Sequence, residues 1–255
     1  MSESAAGTVV GVVGEDSDTV RAAVEAAGAE VVTGPPETVR EADPERLVAV
    51  GPRSLSVLVA ADVPTAPVLP VDAGPGVPSV PLADGEAGVE AFLAGANGTV
   101  TEPVLDVAVD GQHRTRALAD VMLVTAEPAR ISGYAVATGE RAVADFRADG
   151  VVVATPLGSH GYTSRVDGPT VAPGTGVAAV VPVAPFATDP DHWVLPLSDV
   201  ELRVVRDEHA VELHADHRTV GTIPPGAPVS LSVADHLTLA TVPGSQSVFD
   251  ADGDT

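Results

Sequence analysis

The chain has 255 residues and 45% hydrophobic content but only 3% aromatics, so it can bury one large or two modest cores, and those cores must be aliphatic. A formal net charge of −23, with all 13 basic residues arginine, sets the chain against nucleic acid and anionic membranes as partners. The absence of cysteine excludes a disulfide framework and a thiolate metal site, and no apolar run approaches the roughly 20 residues of a membrane helix.

In chain order, TVVGVVG (8–14) is a buried-strand run ended by glycine. DSDTVRAAVEAAGAE (16–30) reads as a helix with Ser17 or Asp18 as N-cap, Val20, Ala23, Val24 and Ala27 on one face, and a stop at Gly28. VV (31–32), LVAVG (47–51) and APVLPV (66–71) are further strands, and GEAGVEAFLAG (85–95) a short helix before a boundary at ANG (96–98). Strands alternating with helices imply a mostly parallel sheet, whose ligand sites lie at the strands' carboxyl ends. That places GPRS (51–54) and DAGPG (72–76) among the segments of interest.

From Thr99 the pattern changes. VLDVAVDG (104–111), ADVMLVTA (119–126), ISGYAVATG (131–139), ADGVVVATP (149–156), VAAVVPVAP (177–185), VELRVVRD (200–207), HAVELHAD (209–216) and VSLSVADHLTLATV (229–242) are short strands between Gly, Pro or Asp turns. Such spacing indicates an antiparallel all-β domain. The expected organisation is an α/β domain over 8–97, a β-rich domain over 98–243, and an acidic, disordered tail over 244–255.

DGVVVATPLGSHGYTSRVDGP (149–169) resembles the segment that marks NAD kinases, in which an Asp-Gly, an apolar strand and Thr-Pro-x-Gly-Ser-Thr-Ala-Tyr lead to Gly-Gly-Pro. Asp149, Gly150, Thr155, Pro156, Gly158, Ser159, Tyr162, Gly168 and Pro169 match; His160 and Gly161 stand for Thr and Ala, and Asp167 for a glycine. RALADVML (116–123), PFATDPDHWVLPLSDVELRV (185–204) and HADHRTVGTIPPGAPVSLSVADHLTLATV (214–242) extend the likeness over most of the C-terminal half. The resemblance implies an α/β domain followed by a β domain, with NAD bound between them. It also implies transfer of a phosphoryl group from ATP or polyphosphate, with Mg²⁺, to the 2′-hydroxyl of NAD's adenosine ribose.

The family holds the phosphates on a Gly-Gly-Asp-Gly loop whose Asp takes the hydroxyl proton. Here the corresponding loop reads Gly51, Pro52, Arg53, Ser54. Pro52 has no N–H to offer and Arg53, at the position of the base, cannot accept a proton. The family's Asn-Glu becomes Ala119–Asp120, its Asn-x-Gly-x-Leu-Gly-Phe becomes Asp72–Gly76 without the Leu-Gly-Phe, and its late Asp-Gly becomes Asp216–His217. By resemblance, the ligand-binding set is Gly51, Asp120, Thr155, Gly158, Ser159, His160, Gly161 and Tyr162, with Tyr162 on a base or ribose. If chemistry survives, Asp72 or Asp120 are the candidate carboxylates.

Blander readings stand beside these. Thr-Pro and Gly-Ser are ordinary turn chemistry, and Arg53 reads either as an anion clamp at a helix start or as a surface arginine. The adjacent Ser159–His160 pair does not make a hydrolase, because Leu157 breaks the nucleophile-elbow pattern. His209, Glu212, His214, Asp216 and His217 match no zinc spacing, so no metal site is expected. The acidity fits a high-salt cytoplasm, where repulsion is screened within about 3 Å at 1 M. The expectation is therefore a cytoplasmic NAD kinase relative that binds NAD or NADP, forms homo-oligomers and has weakened or lost phosphoryl transfer. The alternative is an active kinase that uses another carboxylate.

Overall fold

The computed structural model describes residues 7–127, 130–187, 190–206 and 209–249, and the tail at 250–255 lies outside them. The chain divides into two units: one runs to Glu102 and resumes at His236, the other spans Pro103–Asp235. The sequence places the second boundary near 243, whereas the chain returns to the first unit at His236, inside a long last strand.

In the first unit the apolar runs become β1 (Val9–Gly14), β2 (Glu30–Thr33), β3 (Arg46–Val50) and β4 (Val68–Val71), parallel in the order β2-β1-β3-β4. Crossovers are α1 (Asp18–Ala26), α2 (Pro36–Glu41) and α3 (Ser54–Ala61), and α4 (Gly85–Leu93) follows β4. Helix α1 buries Val20, Ala23 and Val24, three of the four face residues predicted. Its N-cap is Ser17, but no side-chain hydroxyl caps it; Asp18 pairs instead with Arg21 at 3.2 Å. The core joins Val10, Val12, Val48, Val50, Leu69 and Phe92 to Ala240 and Val242 of the returning chain. Each such valine contributes about 1.5 kcal/mol or more by leaving water, which is why the C-terminal strand end belongs with this unit.

The second unit is a two-sheet sandwich. One sheet runs β13 (Val200–Arg206), β8 (Ser132–Thr138), β9 (Arg141–Ala148), with the start of β16 (Pro228–Thr241) beside β13 and the hairpin β5 (Gly98–Val109)–β6 (Gln112–Ala117) beyond it. The other has the order β12 (Trp193–Pro196), β11 (Val177–Val183), β10 (Gly150–Ala154), β7 (Asp120–Thr125), β14 (Val211–Ala215), β15 (Arg218–Ile223). Strand β10, GVVVA, is buried on both faces. Val151 and Val153 point into the sandwich with Leu123, Leu213 and Leu231, whereas Val152 meets Val171, Ala179, Val181 and Val183 outside it. A strand covered on both sides must be apolar throughout, and the cover over its outer face includes Val166 and Val171 from the chain leaving β10. No helix among the described residues is long and apolar enough to cross a membrane.

Candidate functional site

Three strand ends meet in the second unit. Ala154, the last residue of β10, pairs with Asp120, the first of β7, and on the other side Ala215 of β14 pairs with Val121. Beyond β10 the chain forms a 3-10 turn (Leu157–His160) and a single helical turn (Tyr162–Arg165), and beyond β14 it turns at Asp216–His217.

The Thr155–Gly161 loop is fastened to Leu118 and Ala119. Thr155 N–H donates to Ala119 O at 2.9 Å, and its hydroxyl donates to Leu118 O at 2.8 Å or Ala119 O at 3.0 Å. The same hydroxyl accepts Gly158 N–H at 3.2 Å. Gly158 lies so close that a Cβ there would sit 2.0 Å from Ala119 O, a contact with rigid backbone that only glycine avoids. Ser159 is 0% exposed. Its hydroxyl donates to Pro156 O at 2.7 Å and accepts Val171 N–H at 3.1 Å. The expectation that Ser159 bonds a ligand therefore meets a hydroxyl already engaged on both sides: Thr155 and Ser159 hold the loop. The N–H groups of Ser159 and Gly161 also bond inward, to Thr155 O and Gly158 O.

What the loop leaves outward is different. Tyr162 is 38% exposed and His160 is half-buried. The Asp120 carboxylate reaches the same edge, with Oδ2 4.0 Å from the place a Gly161 Cβ would take. Of the predicted set, Asp120, Thr155, Gly158, Ser159, His160, Gly161 and Tyr162 are thus brought together, with Tyr162 the exposed side chain.

Sequence reading gave Asp216 no task beyond a turn. At φ 53 it occupies the left-handed region that Asp tolerates better than most residues, and its side chain is 4% exposed. Oδ1 accepts the N–H groups of Leu118 at 3.1 Å, Ala119 at 2.7 Å and Asp120 at 3.3 Å, and Arg218 Nη2 stands 3.9 Å from Oδ2. Burial, followed by the nearby Asp216 charge, pushes the Asp120 carboxyl up to about 7. Burial also raises Asp216, against the pull of its three N–H donors and Arg218. Those donors favour the charged form of Asp216 and so oppose the effect of its burial. The only advance signal was the placement of Asp216 in a turn where the resembling family keeps its Asp-Gly.

The first unit's loops have another character. Gly51 follows β3 at φ 88, its N–H donates to Val71 O at 2.9 Å, and Ser54 Oγ donates back to Gly51 O at 2.7 Å. Arg53 is exposed at the N-cap of α3 and makes no side-chain cap bond. Asp72, at φ 51, opens a turn held by its N–H to Val80 O at 2.8 Å. Ser79 pairs with Gln246, and Asp72, Gly74, Gly76, Ser79, Gln246 and Ser247 help line a cavity of about 330 Å³. The histidine-rich hairpin disperses its groups. His214 Nε2 lies 3.1 Å from Glu212 Oε2 and His209 faces Glu127 at 3.9 Å, while Asp216 turns to the β7 backbone.

Comparison with known proteins fits this geometry. Residues 118–241 match the family profile of the ATP-NAD kinase C-terminal domain. An NAD kinase of Methanosarcina acetivorans is 38% identical over 108 residues, 42% of this chain and 39% of that one. An NAD kinase of Koribacter versatilis is 32% identical over 163 residues, 62% and 57% of the two chains. The matched stretch therefore spans between about two fifths and three fifths of these relatives' length. In fold, the chain is similar to an NAD kinase from Archaeoglobus fulgidus in complex with ATP (TM-score 0.78, 17% identity, 91% and 93% covered). It is likewise similar to yeast NADH kinase complexed with NADH (TM-score 0.75, 14% identity, 98% and 89% covered).

Proposed function

We propose that this chain, which belongs to the NAD kinase family by its C-terminal domain, binds an NAD- or NADP-type dinucleotide and has lost most or all phosphoryl transfer. The observation that carries the reading is the contrast between two loops. Around Thr155–Tyr162 the motif is kept with its internal bonds and its glycine contact. At Gly51–Ser54, Pro52 offers no N–H and Arg53 no proton acceptor. Removing a general base lowers a rate by about 10² to 10⁴, and losing phosphate-binding amides lowers it further. Tyr162, His160 and Asp120 are the ligand-facing side chains in this reading; Thr155, Gly158, Ser159 and Gly161 shape the loop. Arg53 is left as a residue able to meet a phosphate, not to activate a hydroxyl. Neighbours of the same fold in complex with ATP and with NADH support a nucleotide ligand.

The net charge of −23 supports work in concentrated salt, so the test belongs there. Calorimetric titration of the protein in molar KCl with NAD and with NADP is expected to give saturable binding. No heat and no thermal shift with either would overturn the reading.

One observation favours an active kinase instead: a carboxyl held near 7, as at Asp120, is suited to general base work at neutral pH. In that case NADP forms from NAD, ATP and Mg²⁺, and Asp120→Asn abolishes it; Asp72→Asn tests the other carboxylate.

A further inference from the structure

Asp216 lies outside the matched nucleotide loop, yet its carboxylate accepts three backbone N–H groups. Three consecutive N–H groups, those of Leu118, Ala119 and Asp120, converge on one of its oxygens. The carbonyls of Leu118 and Ala119 in turn hold Thr155. Asp216 N–H donates to Asp120 O at 2.8 Å, closing the arrangement from the other side. Two side chains thus seize one short stretch of backbone: Asp216 takes its donors and Thr155 its acceptors.

We infer that Asp216 is the positioning residue of this site: its carboxylate fixes the Leu118–Asp120 backbone and sets the Asp120 carboxyl against the Gly158–Gly161 loop. The role at a ligand rests on the dinucleotide reading; the effect on Asp120 does not. Charged or titratable groups on the elements packed around Asp120 include Glu212 and His214 on β14, Asp216 and His217 on the β14–β15 turn, Arg218 on β15, Arg116 on β6, and His160, Tyr162 and Arg165 on the chain leaving β10. Among them Asp216 is the like charge that acts on Asp120, and it adds to the burial that already disfavours ionisation there. Arg218 reaches Thr115 Oγ1, Arg116 O and the far side of Asp216, so it steadies the turn.

Asp216→Asn separates the two effects. Asparagine tolerates the left-handed backbone and keeps an oxygen to accept the N–H groups, but it carries no charge. In ligand-free protein, Asp216→Asn is expected to retain slow amide hydrogen exchange at Leu118–Asp120. The Asp120 carboxyl, followed by ¹³C NMR, should titrate about one pH unit lower than in the parent. Asp216→Ala is expected to speed exchange at those three amides by about tenfold or more. An unchanged Asp120 midpoint in Asp216→Asn, or unchanged exchange in a folded Asp216→Ala, would overturn the inference. If Asp216→Ala fails to fold, the Asp216→Asn titration decides alone. A parallel NAD titration of the parent protein keeps the readings apart, since absent binding sinks the proposed ligand and leaves both ligand-free readouts standing.

Discussion

The loop after β10 and the loop after β3 both follow a buried strand, and both carry a glycine where the chain turns. After β10 the glycine is held by contact: the neighbouring backbone leaves no room for a Cβ at Gly158. After β3 nothing lies within 4 Å of the Cβ position at Gly51, and only its φ of 88 favours glycine. The first loop is a joint in which hydroxyls, amides and backbone are interlocked; the second is an open turn that tolerates Pro52 and Arg53. Interlocked loops resist substitution because any change breaks several contacts together, whereas open turns can lose their chemistry and keep their shape.

The largest expected effect tests that contrast. Gly158→Ala should cost about 4 kcal/mol or prevent folding, since backbone must move to relieve the clash. Gly51→Ala should cost only about 1 kcal/mol, the strain of a left-handed alanine. Denaturant unfolding in molar KCl compares them, and equal costs would break the distinction between joint and turn.

Asp120→Asn comes next and depends on pH. The carboxyl is raised from an ordinary value near 4 to about 7 in the folded protein. Between those values the folded state binds more protons than the unfolded one, so stability falls as pH rises through that window. Asn lacks this loss, so the variant should match the parent near pH 4 and exceed it by roughly 4 kcal/mol above pH 7. A stability difference independent of pH would contradict the assigned environment.

Ser159→Ala should cost about 2 kcal/mol by leaving Val171 N–H buried without its acceptor, while Arg53→Ala, on the exposed turn, should change stability by less than about 0.5 kcal/mol. Tyr162→Ala should hardly alter folding but weaken NAD about tenfold, or 1.4 kcal/mol, by calorimetry. Unchanged affinity would remove Tyr162 from the ligand-facing group.

Much of this was legible in the sequence because burial dictates composition. The Val runs of β1, β3 and β10 and the Val20–Val24 face of α1 could hardly be misread. The strands that escaped notice are the half-exposed ones: QHRTRA in β6, RAVADFRA in β9, WVLP in β12 and RTVGTI in β15. Among the described residues each lies at a sheet edge and pairs with one neighbour only, and its side chains face water often enough to erase alternation. At the site, residue types singled out the Thr155–Tyr162 loop but could not show that its hydroxyls bond within the fold. Ser159 has the same identity whether it faces a ligand or Val171, and only the fold reveals which. Asp216 was hidden for a similar reason, since an aspartate in a hairpin turn ordinarily needs no partner beyond the turn.

The central proposal is that holding and chemistry have parted: the joint after β10 keeps its bonds, whereas the turn after β3, with Pro52 and Arg53, is proposed no longer to activate a hydroxyl. Incubating purified protein in molar KCl with NAD, ATP and Mg²⁺, and quantifying NADP against a protein-free control, tests it most directly. No NADP above the control is the predicted result, and sustained turnover by the parent protein, abolished by Asp120→Asn or Asp72→Asn, would contradict it.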